Sequence, residues 1–151
     1  MIKKIFSLIV ILISFYGCGF SPISKKNIDL NYDIIVKDTQ GDTEINNLIK
    51  FQLEKYSLTN SDKKLSITIK SDYEKEIIGK DAKGNASDFR LRINSNFTLT
   101  TSQKNKNILI SKNFVMKKLN QNFQQQTYES EIKKNLTQAI VDQLIKEINF
   151  F

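Results

Sequence analysis

Cys18 is the one thiol in the chain, and it stands in Phe15-Tyr16-Gly17-Cys18-Gly19, where twelve almost uninterrupted apolar residues from Ile5 to Tyr16 come to an end. Thiols are side-chain nucleophiles, and one at such a boundary points to modification of an amino terminus rather than to catalysis. Met1-Ile2-Lys3-Lys4 supplies a cationic start, so the order is positive, then apolar, then small, as in a secretory signal. The apolar run is too short to span a membrane, which takes roughly 20 residues. Histidine, the commonest general base and metal ligand, is absent from the chain. The five glycines form neither a GxGxxG nor a GxxxxGK phosphate loop. Glu74 and Glu76 are a carboxylate pair, but they flank Lys75 at i, i+2 and read as a solvated strand face. These absences argue against an enzyme, and no metal or cofactor site is expected.

The Gly17-Cys18 junction resembles a bacterial lipoprotein signal. In such signals the thiol receives a diacylglycerol, the chain is cut before the cysteine, and the new amine is acylated. Phe15 and Tyr16 stand where that pattern prefers leucine and a small residue. An ordinary signal peptide with an incidental cysteine is the competing reading, although an odd free cysteine is unusual in an exported protein. The resemblance implies cleavage of residues 1–17, lipidation at Cys18, and a covalent diacylglycerol and acyl chain in place of any cofactor. Two or more acyl chains anchor a protein stably. Gly19, rather than aspartate, after the cysteine resembles lipoproteins sent to the outer membrane. Residues 18–27, with the only proline at Pro22, read as a lipidated tether, and residues 28–151 as a single domain.

Positive charge is concentrated rather than spread. The formal net charge is +7, and the segment 79–119 alone holds nine basic and two acidic residues. In an exported chain this favours an anionic lipid, polysaccharide or protein over nucleic acid. Lys104 and Lys106 fall in a polar turn and read as solubilising charges.

The elements that must position these charges follow from periodicity. Tyr32–Lys37 has the β-branched density of a strand. Gly41-Asp42 then leads into an amphipathic helix over Thr43–Tyr56, with Asp42 placed to accept an amide hydrogen of its first turn. Leu65, Ile67, Ile69, Tyr73 and Ile77 alternate with polar residues as a half-buried strand, and Gly79–Asn85 is a turn carrying two lysines. In the next strand Phe89, Leu91, Ile93, Phe97 and Leu99 face one way, and Arg90, Arg92, Asn94 and Asn96 the other. A fourth strand follows the Gln103–Asn107 turn and ends at Lys117 and Lys118. Asn120–Gln126 reads as a polar connector, and Thr127–Asn149 as a long helix. The order strand, helix, three strands, helix predicts a two-layer α+β sandwich, with both helices on one face of a four-stranded, mostly antiparallel sheet.

Cys18-Gly19-Phe20-Ser21-Pro22-Ile23, the Gly79–Ser87 turn followed by Phe89-Arg90-Leu91-Arg92-Ile93, and the closing Ala139-Ile140-Val141-Asp142-Gln143-Leu144 occur in that order. Together they resemble the lipopolysaccharide-assembly lipoprotein family LptE. The resemblance implies two helices on a four-stranded sheet. It also implies a non-enzymatic, lipid-anchored protein on the periplasmic side of the outer membrane. Such a protein plugs an LptD-like β-barrel, helps it assemble, and meets lipopolysaccharide there. Lys80, Lys83, Arg90 and Arg92, with Lys117 and Lys118, are then the candidate contacts for lipopolysaccharide phosphates, since cations bind anions more strongly in a poorly hydrated lumen. The same charges equally suit solubility and hydrogen bonds to a barrel wall. A free-standing periplasmic lipid- or glycan-binding lipoprotein, without a barrel, is the alternative reading.

Overall fold

The structure, a computed structural model, describes Leu30, residues 32–57 and residues 61–151. The expected signal peptide, Cys18 and the tether over 18–27 lie outside the described residues. Four strands, β1 (Asp33–Gly41), β2 (Lys64–Lys80), β3 (Ala86–Thr100) and β4 (Asn105–Lys117), form one sheet in the order β1-β2-β3-β4. Helix α1 (Thr43–Glu54) links β1 to its parallel neighbour β2, and α2 (Asn122–Asn149) closes the chain. The β2–β3 and β3–β4 pairs are antiparallel hairpins. The expected α+β order and single-sided helix layer are what the chain adopts.

Local chemistry sets the strand-to-helix junction. Gly41 has φ of +86°, and a Cβ there would fall against the Ser71 carbonyl oxygen. Glycine therefore lets β1 press against β2 and turn sharply away. Asp42 then donates its amide to that same carbonyl at 2.8 Å, while its Oδ1 accepts from the Ile45 amide at 2.9 Å as an N-cap. From there Ile45, Ile49 and Leu53 bury one stripe of α1. Ile132, Leu136, Ile140, Val141, Leu144, Ile145 and Ile148 bury the stripe of α2. Lys133 bonds Glu44, and Tyr56 bonds Asp142, so the two helices run in the same direction. They pack on Leu65, Ile67 and Ile69 of β2 and Leu91, Ile93, Phe97 and Leu99 of β3. Each fully buried Leu or Ile contributes about 1.5–3 kcal/mol, so this layer is the stabilising core.

Several boundaries differ from the sequence expectation. β1 runs on to Gly41, its polar end held to β2 across a bulge between Val36 and Asp38. The connector expected over Asn120–Gln126 is helical from Asn122. Gln125 secures that first turn, accepting the Leu119 amide at 2.6 Å and donating to the Met116 sulfur at 3.0 Å. α1 ends at Glu54. Ile77, expected on the inner face, is 53% exposed, because it lies toward the end of β2 that the helices cover least. Lys106 pairs with Glu147 at 2.9 Å and Lys104 sits 4.4 Å from the Phe151 ring centre, so that turn is fastened to the chain's end.

Candidate functional site

The β2–β3 turn is built by one carboxylate. Asp81 Oδ1 accepts the amides of Lys83 and Asn85, each at 2.9 Å, and Oδ2 accepts the Asn85 side-chain amide at 3.2 Å. Gly84, at φ +83°, closes the turn with its amide on the Asp81 carbonyl. The hydrogen bonds from Asn85, with the Lys83 amide and the charge of Lys118, hold the Asp81 carboxyl below its usual range. Lys80 ends β2 before this turn, and Lys83 stands within it. β4 brings Lys117 opposite Asp88, and the Lys118 amide donates to the Ser87 carbonyl at 2.8 Å. Lys80, Lys83, Lys117 and Lys118 therefore gather from three segments at one end of the sheet.

Arg90 and Arg92 lie on the open face next to that end, and each meets a carboxylate of the adjacent strand. Arg90 Nη1 is 3.2 Å from Glu76 Oε2, and Arg92 Nη1 is 3.2 Å from Glu74 Oε2. Cross-strand register is the cause: Glu76 faces Arg90 and Glu74 faces Arg92. Such pairs are invisible in a window of sequence, because the two partners are 14 and 18 residues apart. Further along the face Ser111 donates to Asn94 at 2.7 Å and Thr98 to Asn107 at 2.8 Å, while Leu109 and Val115, opposite Asn96 and Arg90, stand exposed on its β4 side. It presents hydrogen-bonding groups with little net charge, and its basic end is the lysine group.

A second polar cluster, which sequence reasoning missed, fastens the helix layer. Glu129 of α2 accepts from Tyr73 at 2.7 Å and pairs with Lys75 at 2.5 Å. Lys133 pairs with Glu44 at 2.6 Å and lies 4.3 Å from the Tyr73 ring centre. Burial pushes the Glu129 carboxyl up, but the bonds from Lys75 and Tyr73, with the charges of Lys75 and Lys133, outweigh it and hold the carboxyl below its usual value. Burial, then the bond to Glu129, pushes the Tyr73 hydroxyl far up, so it stays a donor. These bonds tie β2 to α2 and α2 to α1, the arrangement of a clasp. Between β1 and α1 lies an open cleft of about 540 Å³, lined by Ile34, Ile35, Val36 and Leu53 with Lys50 and Glu54 at hand. Among the described residues no group of three or more His, Cys, Asp or Glu could hold a metal ion, and no helix is long and apolar enough to cross a membrane.

Comparison with known proteins places this arrangement. The fold is similar to rare lipoprotein B from Shewanella oneidensis, with a TM-score of 0.54 at 12% identity over 75% of this chain and 94% of that one. It is also similar to a lipoprotein from Caulobacter crescentus, with a TM-score of 0.51 at 9% identity, covering 81% and 89% of the two chains. At these identities the likeness is one of fold. No curated protein matches the sequence. The family model for LptE, described as lipopolysaccharide-assembly, matches residues 30–148, from the buried Leu30 through both hairpins to the last buried turn of α2. The chain belongs to the LptE family.

Proposed function

We propose that this protein is the lipid-anchored, non-enzymatic partner of an LptD-like outer-membrane β-barrel in lipopolysaccharide transport. The observation that carries the reading beyond family membership is the uncovered face of the sheet. It is rich in amides and hydroxyls, with Leu109 and Val115 exposed along β4, and its arginines are neutralised in place by Glu74 and Glu76. The inside of a large barrel is polar, and a surface meant to lie against it needs hydrogen-bonding groups without a strong field of one sign. The lysine end is the natural point of contact for lipopolysaccharide phosphates. Lys80, Lys83, Lys117 and Lys118 offer ammonium groups there, whereas Arg90 and Arg92 would reach a phosphate only by sharing or leaving their glutamates. Lipidation at Cys18 holds the domain at the membrane where that partner sits.

Purification from membranes in mild detergent tests the partnership: a stoichiometric barrel protein is expected, and recovery as a lone monomer at full yield would sink it in favour of a free-standing lipid- or glycan-binding lipoprotein. Lipopolysaccharide contact is tested separately by K80E/K83E, which leaves the Asp81 turn intact. Binding of lipopolysaccharide by the purified variant should fall by about tenfold, since two charge-assisted contacts reverse sign. Unchanged binding would remove the turn from the ligand site. Mass spectrometry of the mature amino terminus should find Cys18 first and acylated.

A further inference from the structure

Among the described residues, the upper part of β2 has one edge that no strand fills. β1 pairs with β2 only from Lys64 to Ser71, because Gly41 and Asp42 turn the chain off into α1. Beyond Ser71, β2 continues for nine residues, Asp72 to Lys80, paired with β3 on one side and, among the described residues, with no strand on the other. Alternate backbone N–H and C=O groups of that stretch have no strand to meet, which is the usual template for strand addition. Its side chains agree. Ile77 and Ile78 are 53% and 38% exposed, unlike the fully buried Ile67 and Ile69 lower on the same strand. On the open face the edge carries Asp72, Glu74 and Glu76 in a row. Each arginine takes only the Oε2 atom of its glutamate, and Asp72 has no cation partner among the described residues.

We propose that Asp72–Ile77 is a docking edge for an extended segment of a partner protein whose residues alternate apolar and basic. Its apolar residues would lie beside Tyr73 and Ile77 on the helix side, and its lysines or arginines beside Asp72, Glu74 and Glu76 on the open side. Carboxylates offer several acceptor directions, so a second cation can join each pair. Charge also argues against a second copy of this chain as the occupant: antiparallel self-pairing of the edge would set two rows of carboxylates on one face, and like charges opposite one another are destabilising. The bulges around Gly79 end the pairing-competent run before the turn, which keeps the edge separate from the lysine end.

The probe is a synthetic nine-residue peptide of alternating lysine and valine, added to the full folded domain and followed by amide hydrogen exchange. Alternate amides between Asp72 and Ile77 should gain protection of tenfold or more. A peptide with glutamate in place of lysine, or with a central proline, should not bind. D72N/E74Q/E76Q, all surface changes, should weaken binding by about two- to tenfold per removed charge pair and flatten its salt dependence. Protection at the β1 or β4 edge instead, equal binding of the glutamate or proline peptide, indifference to the triple substitution, or a dimer of the chain without peptide would each overturn the proposal.

Discussion

Glu129 and Tyr73 make the clasp between α2 and β2 sensitive to pH in two windows. The Glu129 carboxyl is held below its ordinary value of 4.5, so its stabilisation is complete above that pH and is lost as pH falls through the lower folded value. The Tyr73 hydroxyl is raised above its ordinary 10.0, so its stabilisation is complete below pH 10 and is lost as pH climbs beyond it. E129Q should cost about 1–2 kcal/mol at pH 7, and its urea midpoint should decline less steeply below pH 4.5 than the wild type's. A variant that keeps the full acid slope would place that slope elsewhere. The two left-handed glycines give a sharper contrast. G84A meets open space and suffers only backbone strain, about 1–2 kcal/mol. G41A adds a collision with the Ser71 carbonyl to the same strain, and should cost about 3 kcal/mol or more, or prevent folding. Equal thermal midpoints for the two would contradict the tight β1–β2 approach.

Elements were legible where their periodicity was strong. The alternation of Phe89 through Leu99 gave β3 its faces, with Ser95 added to the inner one, where it meets Ser71 at 2.9 Å. Asp42 announced α1 because a carboxylate just before a 3.6-residue pattern has one obvious use, accepting a first-turn amide. The polar end of β1 and the first turn of α2 were hidden because tertiary partners, not hydrophobic rhythm, hold them: β2 for Asp38–Gly41, and the Leu119 amide with Met116 for Gln125. The charge of the candidate site was misread for a related reason. Counting along the chain put Glu74 and Glu76 outside the basic segment, while the hairpin lays them against Arg92 and Arg90. If Gln125 holds the start of α2, Q125A should release the amides of 125–128 to rapid exchange while costing only about 1 kcal/mol overall. Persistent protection there would mean that intrinsic helix propensity suffices.

At the scale of the whole molecule the lengths of the elements do not match, and the mismatch divides the domain. β2 has 17 residues, about 55 Å at the usual strand rise. α1 has 12, about 18 Å, and starts only where β1 stops. The lower half of β2 is therefore sealed between β1, β3 and the helices, with Leu65, Ile67 and Ile69 fully buried, while among the described residues the upper half has only β3 and the first turns of α2. Stability should follow that gradient. Amides of 65–69 and 93–99 should exchange only through global unfolding, and those of 77–89 by local opening, at least a hundredfold faster. Uniform protection along β2 would show that the sheet opens as one unit. The gradient also bears on function, because the less stable end carries the lysines and the unfilled edge, the two features with most to gain from a partner. Binding of a barrel partner or of lipopolysaccharide should accordingly slow exchange in 72–89 and leave the helix-covered half unchanged. Slowing confined to α1 or the β1 edge would instead put the partner on the far side of the molecule.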